Sequence, residues 1–178
     1  MSELSEPLAE RPDMTDYGVG GPQWEALPWS WAAQRLATNK NFWVVTASAG
    51  GRPHAMPVWG VWDDDDHRFA FSCSPNARKA RNLAANPQMS FAVDSTEECI
   101  SVEGRAAPVA ADRVETWVER YLAKYTPIEP ELSGDFLRAH AFFEMTPSRA
   151  FAVIERTDEF ANRATRWRFQ ASEATAAS

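Results

Sequence analysis

The most regular alternation in the chain lies between Arg52 and Trp62. His54, Met56, Val58, Gly60 and Trp62 alternate with Pro53, Ala55, Pro57, Trp59 and Val61, the period of a strand with two different faces. Pro57 cannot donate to a ladder, which predicts that this strand runs along an edge or carries a bulge. Ahead of it, Phe42 to Ala49 is β-branched and aromatic, and Gly50-Gly51 predicts a hairpin turn between the two. Asp63 to Asp66 predict the next reversal, into a strand ending at Cys73. Asn76 stands where it would cap a helix beginning near Ala77, and Asn86-Pro87 stops that helix.

Elsewhere the pattern is shorter in range. Pro28 suits the first position of a helix over residues 28–38, whose apolar side includes Trp31 and Leu36. Met89 to Asp94 and Cys99 to Ala107 read as a hairpin, with Gly104 marking a bulge. Within 111–125, Val114, Trp117, Val118, Tyr121 and Leu122 recur at helical spacing. Residues 126–134 read as loop, and Phe136 to His140 as a short helix. Phe142 to Met145, Ser148 to Glu155 and Arg163 to Phe169 read as the last strands. Short strands with a few helices and no βαβ alternation predict a mainly β, antiparallel small barrel with helical decoration. That barrel should span residues 24–170. Residues 1–23, rich in Ser, Glu, Pro and Gly, read as a mobile tail, and 171–178 as a disordered one.

Composition narrows the classes. At 178 residues, one domain is expected. Eight Trp and ten Phe exceed what a small barrel interior easily hides, which predicts an apolar outer face and a homodimer. A net charge of −7 argues against general nucleic-acid binding. No apolar run approaches the ~20 residues of a membrane span, and no signal-peptide pattern opens the chain. Cys73 and Cys99 have no metal-ligand spacing and make no disulfide framework. A cytoplasmic protein without membrane or nucleic-acid partners is the expectation.

The candidate chemistry is sparse. Arg78, Lys79 and Arg81 crowd the start of a helix whose free N–H groups favour an anion, so a phosphate site and a merely solvated basic face both remain open. The four carboxylates of 63–66 lack calcium-loop spacing and sit where a hairpin must reverse. His54 and His140 are candidate proton donors, with a structural role as the alternative for each. Arg166 and Arg168, two apart on a strand, point the same way: into a cleft they would suit an anionic cofactor tail or a substrate carboxylate, and otherwise they form an exposed strand face. Trp59 and Trp167 are candidates for stacking on a planar substrate, with core or subunit packing as the alternative. The chain has no nucleophile elbow, no paired acid–base carboxylates and no metal cluster.

Ala77-Arg78-Lys79-Ala80, followed by Asn82-Leu83 and Asn86-Pro87, resembles the phosphate-binding helix of the flavin-binding split β-barrels of the pyridoxamine-phosphate-oxidase type. The Gly50–Trp62 hairpin, the Phe69–Cys73 strand and the Arg163–Phe169 strand fall in that family's order, and the likeness covers roughly residues 26–170. It implies a cofactor site in which Arg78 and Lys79, with Arg81 and Asn82 beside them, hold the phosphate. The backbone of Met56, Pro57, Val58 and Trp59 would lie against the ring, and Ser72 and Cys73 would line the same cleft. His54, Arg166, Trp167 and Arg168 become candidates for the substrate or cofactor tail, and a homodimer with shared sites is implied. The chain departs from the pyridoxal-phosphate-forming oxidases at Met56, where they carry Arg, and at Val61, where they carry a substrate Lys. Their flavin-contacting Trp falls at Ala161 or a neighbour here. Their Arg-x-His reads Arg166-Trp167-Arg168. In its compact Lys79-Ala80-Arg81-Asn82-Leu83 helix start, and in dispensing with the first Arg at Met56, it looks more like the actinobacterial branch that uses the deazaflavin coenzyme F420. That resemblance implies a reductase passing a hydride from F420 to a planar conjugated small molecule. The alternatives are an FMN-dependent oxidase or reductase of the same fold, and a non-enzymatic flavin- or haem-binding protein.

Overall fold

Every strand pair in the computed structural model, which describes residues 5–170, is antiparallel. In chain order the elements are β1 (Leu8–Glu10), α1 (Trp29–Thr38), β2 (Asn41–Ala47), β3 (Pro53–Asp63), β4 (Arg68–Cys73), α2 (Arg78–Ala85), β5 (Gln88–Val93), β6 (Glu98–Pro108), α3 (Val114–Tyr125), α4 (Gly134–Arg138), β7 (Ala141–Ile154), α5 (Thr157–Arg163) and β8 (Thr165–Arg168). Strands β7, β4, β3, β2, β5 and β6 run side by side, and β6 pairs back onto β7 to close a six-stranded barrel. β8 and then β1 extend from the far end of β7.

The period of two seen in the sequence sorts the faces. Phe42, Val44, Phe69, Phe71, Phe91, Ile100, Val102 and Met145 point inward and are almost wholly buried. Phe69 and Phe91 stack at 3.9 Å between ring centroids, and Phe42 meets Phe69 edge-on at 5.0 Å. Each such ring removed from water stabilises the fold by about 1.5–3 kcal/mol. A second cluster forms outside the barrel. There Trp117, Val118, Tyr121 and Tyr125 of α3 cover Val61, Ala70 and Phe142, a helical stripe laid on the sheet's outer face.

The bulge expected at Gly104 is present. Glu103 pairs with Arg149 and Gly104 with Pro147, so Ser148 of β7 is the extra residue. A Cβ on Gly104 would lie 2.1 Å from the Thr146 carbonyl oxygen and 2.9 Å from Pro147 Cα, both on the opposing strand. Gly104→Ala is therefore expected to cost about 1–3 kcal/mol, as overpacking against backbone does, and a urea melt measures it.

Several expectations need correction. Residues 8–10 are not in a mobile arm: Leu8, Ala9 and Glu10 pair with Arg168, Trp167 and Arg166, while Val19 is buried. Residues 1–4 and 171–178 of the two expected tails lie outside the described residues. Pro28 precedes the first helical residue of α1 rather than occupying it. The strands expected on either side of Pro147 are one strand, because the bulge beside that proline absorbs it. α5 has no apolar period and did not register in the sequence pattern. Among the described residues no helix is long and apolar enough to cross a membrane.

Candidate functional site: an open strand edge beside a basic helix start

β3 changes partner halfway along. Pro53 to Trp59 pair only with β2, and Gly60 to Asp63 only with β4. The first half therefore keeps one edge free of any strand, which reconciles Pro57 with a place inside the sheet order. At the handover, α3 satisfies the backbone. The Tyr121 hydroxyl donates to the Trp59 carbonyl (2.6 Å) and accepts from Ser72 N (3.1 Å), bridging β3 to β4 where they part. The Tyr125 hydroxyl accepts from Gly60 N (2.8 Å) and lies 2.8 Å from the carbonyls of Gly60 and Lys40. Lys124 Nζ donates to the Gly60 carbonyl at 2.9 Å. Gly60 is obligatory in this crowding, since a Cβ would stand 2.4 Å from the Phe69 ring.

Burial lowers the Lys124 pKa from 10.5 to about 8. Burial likewise holds the Tyr121 and Tyr125 hydroxyls above their ordinary 10. The signs are opposite. Between about pH 8 and 10.5 the unfolded chain holds the Lys124 proton that the folded chain has lost, so stability rises with pH there. Above pH 10 the unfolded tyrosines ionise first, and stability falls. Melting temperatures between pH 7 and 11 should pass through a maximum, and Lys124→Met should remove the rising limb alone.

β4 ends at Cys73, and the chain turns into α2 beside the open edge. Asn76 does not cap this helix. Ala77 holds the cap position without a side-chain bond, while Ser74 Oγ accepts from Asn76 N at 3.2 Å. The first N–H groups of α2 thus lack a side-chain acceptor. Arg78 and Lys79, half-buried, make no side-chain hydrogen bond or ion pair among the described residues. Arg81 is exposed and donates to the Asn76 carbonyl. Asn82 faces inward, giving its Nδ2 to Thr46 Oγ1 at 2.9 Å, and so ties α2 to β2. His54, opposite Thr46 on β3, has a pKa lowered by partial burial and by the charges of Arg78 and Lys79, which places the three together. Its Nδ1 is buried without a partner.

Next to this edge a cavity of about 300 Å³ is lined by Trp59, Ser72, Cys73, Tyr121, Phe136 and His140, among others. Trp59 already stacks on Tyr125, at 4.7 Å and 7° between planes, so one of its faces is taken. Burial raises the Cys73 thiol pKa against the opposing pull of Lys79, which keeps the sulfur neutral. Met56, an inner-face residue by register with Val44, is 43% exposed because no β4 residue covers it.

The last strand does not join this cluster within one chain. Trp167 is fully buried, edge-on to Trp29 at 5.6 Å. Arg166 and Arg168 both pair with Glu10 of β1. Arg168 stands opposite Arg149, whereas Cys73 stands opposite Ala141, eight residues earlier on β7. At ~3.3 Å per residue that is roughly 26 Å of strand. The acidic turn is structural as well: Asp64 accepts from the indoles of Trp29 and Trp62 (3.0 Å each), Asp63 pairs with Arg120 and Asp66 with Arg113. Among the described residues no three His, Cys, Asp or Glu side chains are grouped to hold a metal ion. Tyr121, Lys124, Tyr125 and Phe136 were not singled out from the sequence as site residues. The available signal was two tyrosines four apart on an apolar helical stripe, since a buried phenol needs a partner.

Residues 32–154 match the family described as Pyridoxamine 5'-phosphate oxidase. No curated protein matches the chain. Among solved structures, a conserved hypothetical protein from Mycobacterium tuberculosis is similar with a TM-score of 0.62, at 18% identity over 73% of this chain and 86% of its own. The haem storage protein HutZ from Vibrio cholerae gives 0.54, at 20% identity over 70% and 92%. A protein described as an F420 reductase gives 0.53, at 19% identity over 66% and 94%. Identities this low carry the fold alone, but the family match spans more than half of the chain. The chain is a split β-barrel protein of the pyridoxamine 5'-phosphate oxidase family, a family of flavin-related oxidoreductases.

Proposed function

We propose that the protein is a reductase that uses coenzyme F420 to reduce a planar conjugated small molecule. The observation that carries this reading is the free edge of Pro53–Trp59 beside Arg78 and Lys79, two cations without an ion-pair partner among the described residues. Arg78, Lys79 and the uncapped N–H groups of α2 would hold the cofactor phosphate. The β3 edge would offer backbone groups to the ring, and exposed Met56 would line its inner side. When bound there, the reduced cofactor supplies a hydride. The chain's own task is to orient the ring and to exclude water from the face where the acceptor lies. Two departures from the oxidases favour deazaflavin over FMN. Met56 brings no charge to the phosphate end, and Val61 is packed under α3, where no substrate reaches it. The neutral thiols of Cys73 and Cys99, both free, suit a cytoplasmic setting.

A homodimer belongs to the same reading. The outer face of β2 and β3 presents Trp43, Val45, Ala55 and Pro57 side by side. Trp43 is 47% exposed there. A two-fold pair covering this face would let the partner's last strand approach a site that its own chain cannot reach.

Equilibrium titration of the purified protein with F420 and with FMN tests the proposal. Tighter binding of F420, by at least about tenfold (~1.4 kcal/mol), is the expected outcome. Preferential FMN binding would move the assignment to an FMN enzyme, and a Soret band in the protein as isolated would move it to haem.

A further inference from the structure

The cavity beside the β3 edge differs in character from the cationic helix start next to it. Its titratable side chains are Cys73, Tyr121 and His140, and no Arg, Lys, Asp or Glu lines it. The Tyr121 hydroxyl is already committed to Trp59 O and Ser72 N, and the Cys73 thiol is held neutral by burial. A ligand carrying phosphate or carboxylate would find no Arg or Lys side chain in the lining to pair with, and Lys79 acts here only from outside it, as it does on Cys73, so placing one would cost more desolvation than is returned. A volume of about 300 Å³ lies at the small end of ligand sites.

One wall is supplied by α4, a five-residue helix anchored at a few points. Leu137 is buried beneath it, Ser133 Oγ accepts from Phe136 N at 3.2 Å, and Arg138 pairs with Glu115 of α3. Phe136, by contrast, leaves 57% of its surface exposed although it lines the cavity. Its ring sits 4.4 Å from that of His140. His140 Nδ1 lies 2.7 Å from the Phe136 carbonyl, which only accepts, so Nδ1 carries the proton. In the neutral ring that leaves Nε2 as an acceptor. Phe136 and His140 therefore form an aromatic wall with a single polar atom, facing a cavity whose opposite lining includes Trp59.

We infer that this cavity takes the hydride acceptor, and that the acceptor is a small, flat, uncharged molecule selected by the Phe136–His140 wall of α4. The inference rests on the reductase reading for calling the ligand an acceptor, but the cavity's preference for a neutral flat molecule is independent of the cofactor. Its departure from a phosphorylated substrate follows from the lining alone.

The test uses the cofactor-free protein, with 2-naphthol as the neutral probe and 2-naphthoate as its anionic counterpart. Alkylation of Cys73 by iodoacetamide, followed by peptide mass spectrometry, reads occupancy, and Cys99 serves as the internal control because it lies outside the cavity. Saturating 2-naphthol should slow alkylation of Cys73 at least fivefold and leave Cys99 unchanged. 2-Naphthoate should bind at least about tenfold more weakly. Phe136→Ala should weaken 2-naphthol binding about five- to tenfold, and its exposure keeps the fold out of the result. Equal protection by the two probes, or protection indifferent to Phe136→Ala, overturns the inference even if F420 binds. Selective, Phe136-dependent protection in a protein that binds no F420 upholds the cavity assignment and removes the reductase reading.

Discussion

Lys79→Ala is expected to weaken F420 binding by about 1.5–3 kcal/mol, a factor of roughly 10–150, without loss of the fold. Lys79 and Arg78 stand half-buried at the first turn of α2, where among the described residues no carboxylate pairs with them and no side chain caps the helix. The helix dipole and the ammonium would therefore act on one phosphate together, and a partly desolvated charge is worth more than an exposed one. Arg81→Ala is the internal comparison. Its guanidinium is exposed and already donates to the Asn76 carbonyl, so its removal should cost at most about 1 kcal/mol. Equilibrium titration with circular dichroism as the folding control measures both. Equal losses from the two variants would point to a diffuse basic patch, and no loss at Lys79 would remove the phosphate assignment.

Trp43→Arg is expected to convert the proposed homodimer into monomers. Trp43 stands at the centre of the outer β2–β3 face, paired with Pro57 on one side and Ala92 on the other. Burying such a ring contributes about 2–3 kcal/mol per copy, and a two-fold axis counts it twice. The substitution also sets an unpaired guanidinium into each half of the interface. A rise in the dimer dissociation constant of at least about a thousandfold follows (~4 kcal/mol). Light scattering reads the outcome as a shift to the 19.9 kDa chain mass. A wild-type protein that is monomeric at micromolar concentration and still binds cofactor fully would overturn the shared-site arrangement.

Most of the barrel could be read from the sequence because its signals are local. The alternation from Pro53 to Trp62, the Gly50-Gly51 turn, the Gly104 bulge and the Val114–Tyr125 stripe each follow from residues a few positions apart. What escaped depends on partners distant in the chain. β1 is three residues long with no buried alternation, and it exists because the edge of β8 and the arginine pair were there to meet Glu10. Within one chain the same contact pairs Arg166 and Arg168 with Glu10, far from α2. Asn82 lay inside the basic motif, yet its burial against Thr46 is set by how α2 docks on β2. Trp167 alternates correctly with its neighbours, but which face of β8 meets Trp29 is a matter of three-dimensional packing. Phe142 to Met145 and Ser148 to Glu155 read as two strands, and only the bulge opposite Gly104 lets Pro147 lie between them within one.

The free half of β3 also bears on how the protein survives in a crowded solution. An unpaired strand edge is a template on which another chain can add a strand, the first step of sheet-to-sheet aggregation. Here two of the seven edge residues, Pro53 and Pro57, have no N–H to offer, and both fall on the same parity of the strand. A segment trying to dock would lack donors at those positions, while a ligand that needs only one or two backbone groups would not. Prolines that weaken the ladder thus guard the opening against self-assembly, and replacing both with β-branched residues should make the cofactor-free protein prone to fibril growth.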